Sequence, residues 1–194
     1  DISNYWPATV QVVGKDILRF HAILWPAILL GLGLPLPRTI LSHGFIQVDG
    51  QKISKSLGNG IDPVEVLEKH GINAFRYFFS KHIDTFLDAD FTWEKFENAY
   101  RNELANDYGN LVQRLSVLCQ KNSVEKLDFS SSFAPEYAEL MDQFEFTNAI
   151  NKAWGMIQDV NRHIEEQKPW QLAKTNPEQA RASLTGLVKE LLVA

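Results

Sequence analysis

The sequence predicts a mostly α-helical chain in which a small βαβ unit and a β-hairpin come first and a helical bundle follows. Three observations predict it. Two short β-rich runs near the start flank an apolar segment of helix length. An Asp49-Gly50 pair separates two alternating stretches, the signal of a tight hairpin turn. From Asp62 onward, apolar residues recur three and four apart, punctuated by helix caps.

At 194 residues the chain is long enough for one large or two small domains with a proper core. A net charge of −5 gives no global positive field, so any nucleic-acid contact must come from a local arrangement. The single cysteine, Cys119, excludes a disulfide framework and a cysteine-rich zinc site in this chain, and it suits a reducing cytoplasm. The five histidines are scattered without ligand spacing, so no metal site is expected. The apolar run 17–36 carries Arg19, His21, Pro26, Gly31, Gly33 and Pro35, which argue for a buried helix rather than a membrane span.

Residues 9–13 read as a buried strand ending at Gly14. A helix over 17–32 follows, apolar nearly all round, and a second strand over 38–41 completes a partial Rossmann-type βαβ unit. One such unit cannot form a doubly wound sheet alone. The abrupt start, without an initiator Met, favours the tail of a nucleotide-binding domain whose first half is missing. On that reading the faces of the 17–32 helix should be exposed, or covered by a neighbouring molecule.

Phe45-Ile46-Gln47-Val48 and Gln51-Lys52-Ile53 are the arms of the hairpin. Beyond it, Lys52-Ile53-Ser54-Lys55-Ser56-Leu57-Gly58-Asn59-Gly60 sets two lysines three apart among serines and glycines. Such a loop can close over polyphosphate, with lysines as point charges and hydroxyl and backbone N–H groups as donors. Taken alone it is equally a solvated Lys/Ser turn. Asp62-Pro63-Val64-Glu65 starts a helix over 63–70, closed by Gly71, and 74–79 continues a second. Residues 83–91 read as a polar connector.

Thr92 caps the longest expected helix, 93–121, ~44 Å at 1.5 Å per residue. Its core stripe is Trp93, Phe96, Tyr100, Leu104, Tyr108, Leu111, Leu115 and Leu118. A second stripe, Asn102, Asn106, Asn110 and Arg114, suits base edges, because Asn is donor and acceptor together and Arg is a planar fork. It equally suits a solvated polar face. Residues 128–134 form a Ser-rich loop. A further helix runs to Gln167 with Ala149, Ala153, Trp154, Ile157, Val160 and Ile164 on its core face, and Lys168-Pro169-Trp170 ends it. Trp170 is either a core plug or a stacking platform for an unpaired base. Asn176-Pro177-Glu178-Gln179 caps the last helix, giving a bundle of four or five helices.

The residues Gly14-Lys15-Asp16-Ile17, Phe20-His21, Trp25-Pro26, Ser42-His43-Gly44 and the loop from Lys52 to Ser56 together resemble a bacterial methionyl-tRNA synthetase of class I, and the bundle resembles its anticodon-binding domain. The resemblance implies three regions: 1–61, the C-terminal part of the catalytic domain; 62–91, a connecting stem-contact region; and 92–194, the anticodon-binding domain. Lys52, Ser54, Lys55 and Ser56 would clamp ATP phosphates, with Ile53 in place of the family's Met. Asp16 would lie near the ribose, His43 and Gly44 beside the adenine, and His21 against the methionine pocket. Asn110 and Arg114 would read anticodon bases, and Trp170 would stack on one. For His21 and His43 by themselves, a hydrogen-bonded core histidine is the plainer reading.

The implied substrates are ATP with Mg2+, L-methionine and methionine tRNA, in the cytoplasm. The family's H-I-G-H motif, zinc-bearing insertion and most of the methionine pocket have no counterpart in these residues, so this polypeptide alone is expected to be inactive. The rival readings are a sister synthetase for leucine, isoleucine, valine or cysteine, a non-catalytic tRNA-binding module, and a helical interaction protein.

Overall fold

The computed structural model describes residues 5–53, 60–127 and 134–193. The Lys/Ser loop beyond Ile53, including Ser54, Lys55 and Ser56, and residues 128–133 of the Ser-rich loop lie outside the described residues. The chain forms two compact units, Asp1–Asp62 with Ile83–Phe91 and Pro63–His82 with Thr92–Ala194.

In the first unit, β1 (Val10–Gly14) pairs in parallel with β2 (Thr39–His43), in a register running from Val10 opposite Thr39 to Gly14 opposite His43. The crossover is not one uniform helix. A 3-10 turn (Lys15–Ile17) and a π-helical segment (Phe20–Leu24) precede α1 (Trp25–Gly31). Pro26 accounts for the widening: it has no N–H to give Ala22, and its ring crowds that carbonyl, which a π turn relieves. Gly33 at φ 67° ends α1, with Leu34 N–H donating to Leu29 O at 2.9 Å and Gly33 N–H to Leu30 O at 3.1 Å, a Schellman closure. The expected exposure is present: Leu29 is buried, but Phe20, Ile23, Leu30 and Leu32 are 60%, 66%, 65% and 67% exposed. No helix among the described residues is long and apolar enough to cross a membrane.

β3 (Ile46–Val48) and β4 (Gln51–Lys52) form the expected hairpin, with Val48 opposite Gln51 and Gln47 opposite Lys52. Asp49 and Gly50 both take positive φ, 51° and 72°, as a two-residue hairpin turn of the primed type requires. The sequence misses β5 (Ala89–Phe91), which pairs in parallel along the other edge of β3. Three residues are too few for an alternation signal, and the pairing comes from far along the chain. The region 62–91 is therefore not one structural piece. Its helix joins the bundle, because Val66, Ala74 and Phe78 need a core, and its tail returns to the hairpin.

In the second unit, α2 (Pro63–Lys81) breaks at Gly71, whose φ of 79° suits glycine. α3 (Trp93–Asn98) is capped by Thr92, whose Oγ1 accepts Lys95 N–H at 3.1 Å. A π-helical stretch (Ala99–Gly109) then leads into α4 (Asn110–Lys121). There the eight-residue stripe fails in part. A π turn rotates each residue by less than the α-helical 100°, so Tyr100 and Tyr108 drift out of the core to 37% and 41% exposed.

α5 (Pro135–Asp142) and α6 (Phe146–Gln167) follow, and Lys168, at φ 45°, turns the chain into α7 (Pro169–Thr175). α8 (Pro177–Val193) is N-capped by Asn176, whose Oδ1 accepts Gln179 N–H at 3.1 Å and whose Nδ2 donates to Gln179 Oε1 at 3.4 Å. α6 packs on α2, α5 and α8, and α8 also packs on α4. The core holds Leu111, Leu115, Trp154, Ile157, Val160, Ile164, Leu184 and Leu187.

Candidate functional site

The parallel pair β1–β2 brings Gly14 and His43 together at the C-terminal ends of the two strands. In an open α/β sheet, ligands bind in the crevice beyond those ends. A Cβ placed on Gly14 would stand 2.9 Å from Asp16 Oδ1 and 3.9 Å from His43 Cε1, so both side chains flank one backbone point. Asp16 and His43 are exposed there. His43 Nδ1 lies 2.8 Å from Gly44 O. A carbonyl only accepts, so Nδ1 carries the proton.

Gly44 has a steric reason of its own. A Cβ on it would sit 2.1 Å from Leu87 O, and its N–H donates to Thr85 O at 3.0 Å. Asp84 Oδ1 shapes that neighbouring turn by accepting Phe86 and Leu87 N–H, each at 2.8 Å.

His21 is half-buried, with Nδ1 3.0 Å from Ile17 O. By the same reasoning it donates there and leaves Nε2 as an acceptor when neutral. It lines a depression of about 390 Å3 with Gln11, Phe20, Leu24, Trp25 and Ile28. Gln11 Oε1 and Trp25 Nε1 are buried without a hydrogen-bond partner among the described residues.

Lys52 ends β4, at the entry to the Lys/Ser loop, and its Nζ lies 4.6 Å from the centroid of the Phe45 ring. Lys15 Nζ stands 4.7 Å from the same centroid and 2.6 Å from each carboxylate oxygen of Asp88. Asp88 Oδ1 also accepts Phe45 N–H at 2.8 Å. The Lys15 hydrogen bond, then that of Phe45 N–H, hold the Asp88 carboxyl below the usual carboxylate range. Asp90 Oδ1 accepts Gly50 N–H at 2.7 Å, so two aspartates stitch the hairpin to β5.

In the bundle, Asn102, Asn106 and Asn110 are exposed and Arg114 is half-buried. Arg114 Nη1 donates to Glu165 Oε1 at 2.5 Å, a contact between α4 and α6. Trp170 is half-buried, packed against the core yet open to solvent on part of its surface. A separate polar cluster holds the π stretch to α2. Glu103 Oε2 accepts Tyr77 OH at 2.5 Å, Lys81 Nζ at 2.8 Å and a contact from His82 Nε2 at 3.0 Å. Burial opposes the Glu103 charge, but these donors outweigh it and lower its pKa. Burial, then Glu103, pushes the Tyr77 phenol far up, so it stays a neutral donor.

The structure thus brings Asp16, His43 and Gly44 together at one strand end and sets Lys52 on the hairpin of the same unit. Asn110, Arg114 and Trp170 belong to the other unit. Sequence reading missed Lys15, Phe45, Asp88 and Glu165. Lys15 could have been found from its place in Gly14-Lys15-Asp16; the others depend on pairings across 43 and 51 residues.

The family model for class I tRNA synthetases (M) matches residues 1–116. The methionine–tRNA ligase of Thermotoga maritima is 40% identical over 186 residues, covering 89% of this chain and 30% of that protein. That of Rickettsia felis is 37% identical over 209 residues, covering 97% and 41%. The solved Mycobacterium tuberculosis methionyl-tRNA synthetase in complex with methionyl-adenylate superposes with a TM-score of 0.84 at 32% identity, over 98% of this chain and 41% of that one. The chain spans 30% to 41% of the length of these relatives. The similarity runs through both units, and on it the chain belongs to the methionyl-tRNA synthetase family of class I tRNA synthetases.

Proposed function

We propose that these residues serve a methionine–tRNA ligase, the first unit contributing to amino-acid activation by ATP and the bundle recognising the anticodon of methionine tRNA. The observation that carries the reading is 40% identity to a methionine–tRNA ligase across 89% of the chain, Lys/Ser loop and bundle together. The position of Lys52 on a tight hairpin supports it.

In activation, the methionine carboxylate attacks the α-phosphate of ATP in line, forming methionyl-adenylate and releasing pyrophosphate. Nucleotide enters as its Mg2+ complex. Among the described residues no three His, Cys, Asp or Glu side chains converge on a metal-sized site. Lys52 and Lys55 neutralise the charge growing on the leaving pyrophosphate, and Ser54 and Ser56 donate hydrogen bonds. None of the four is an acid or base; they act as electrostatic clamps. Asp16 takes the ribose and His43-Gly44 the adenine edge, beyond the C-terminal ends of β1 and β2, the side on which open α/β sheets bind ligands. His21 presents Nε2 to the methionine side.

In the bundle, Asn110 and Arg114 address base edges and Trp170 stacks on a splayed base. Arg114 must trade its Glu165 partner for a base, an exchange of one charge-assisted hydrogen bond for another.

The test is pyrophosphate exchange by a full-length ligase carrying this sequence. Lys55→Ala is expected to lower the activation rate by about 2–4 kcal/mol in transition-state terms, with the methionine KM little changed. An unchanged rate removes the clamp. The polypeptide of 194 residues by itself is expected to catalyse no exchange.

A further inference from the structure

We propose that Phe45 is a positioning residue for Lys52: its ring seats the lysine ammonium, and Asp88 braces the seat. This rests on the reading that Lys52 acts on ATP phosphates, and it adds what aims the lysine.

The register sets the geometry. Lys52 pairs with Gln47, so Phe45, two residues earlier on the partner arm, is its diagonal neighbour on the same face. That separation suits an aromatic ring and a long cation, and the observed distance of 4.6 Å from ammonium to centroid is well inside cation–π range. Lysine stems often lie on apolar surface for packing alone. Two features argue for more here. A second ammonium, that of Lys15, stands 4.7 Å from the same ring. Its charge is compensated by Asp88, and one oxygen of that carboxylate also holds the Phe45 backbone N–H. A single carboxylate therefore fixes the ring's backbone and balances the neighbouring cation.

The chemical consequence concerns freedom. A lysine on a four-carbon stem loses rotamers when it grips phosphate. A ring that seats the ammonium restricts the stem beforehand, so less of that freedom remains to be lost on binding. Because the hairpin turn and β5 are both tied down by aspartates, the seat is part of a fixed frame.

The experiment is pyrophosphate exchange by the full-length ligase with Phe45 replaced by mono-, di- and trifluorinated phenylalanine, which keep the shape of the ring and drain its face of negative charge. The expected result is a stepwise fall in kcat/KM for ATP, about two- to fivefold across the series, with the methionine KM unmoved. Phe45→Trp keeps activity, whereas Phe45→Leu and Asp88→Asn lose it on the ATP side only. In a Lys52→Met background the fluorine dependence disappears. A flat fluorine series, or Phe45→Leu equal to wild type, overturns the seat. If the series is flat while Lys52→Met alone is severely impaired, the seat falls and the phosphate clamp stands. If Lys52→Met is unimpaired, the clamp falls and the seat with it.

Discussion

Two helical segments with nine apolar residues each, one 22 residues long and the other 12, meet opposite fates in this molecule. α6 buries Ala149, Trp154, Ile157, Val160 and Ile164 against α2, α5 and α8. The crossover segment from Phe20 through α1 buries only Leu29, and leaves Phe20, Ile23, Leu24, Ile28 and Leu30 exposed. The difference is one of coverage. The bundle supplies neighbours on every apolar side of α6, whereas the two-stranded β1–β2 pair offers the crossover a single small surface. Exposed apolar area on this scale marks a face suited to burial. The bundle should therefore carry the stability of the polypeptide, and the first unit is a frame held by hydrogen bonds.

The sharpest contrast is between two isoleucines. Ile164→Ala removes a side chain that is 0% exposed and is expected to cost about 2–5 kcal/mol in urea unfolding of the polypeptide. Ile23→Ala, at 66% exposure, should stay within about 0.5 kcal/mol. Equal costs would break the comparison. Next come the caps. Thr92→Ala and Asn176→Ala should each cost about 1 kcal/mol, because each side chain satisfies an orphan N–H at a helix start.

Acid offers another probe of the bundle. The Glu103 pKa is lowered in the folded state, so its contribution is complete above the unfolded value of about 4.3 and is lost as pH falls through the folded value. Glu103→Gln should flatten the acid limb of the stability curve there, and an unchanged limb would discount the cluster. The smallest effect belongs to the exposed pair: Glu165→Gln, breaking its bond with Arg114, should change stability by no more than about 1 kcal/mol.

Local chemistry was readable and distant pairing was not. The Asp49-Gly50 turn, the Thr92 and Asn176 caps, the Gly71 break and the α6 stripe each rest on a few adjacent residues, and each stands where the pattern put it. β5 was missed because its partner strand lies far back in the chain. The drift of Tyr100 and Tyr108 was hidden because nothing in residues 99–109 distinguishes a π turn from an α turn by composition. At the candidate site the same division holds. Lys52 and the Asn110–Arg114 spacing could be read directly, but the partners that hold them, Phe45 with Asp88 and Glu165, are joined by sheet register and helix packing.

On the proposed function, activation and anticodon reading are done by different units. That division is tested most directly by the ratio of aminoacylation to pyrophosphate exchange in a full-length ligase carrying Arg114→Gln and Trp170→Ala. A base-edge contact and a stacked base are worth about 1–3 kcal/mol each, so charging of methionine tRNA should fall at least about 30-fold while exchange stays at the wild-type rate. Charging that survives, or exchange that falls in step with it, would contradict the account.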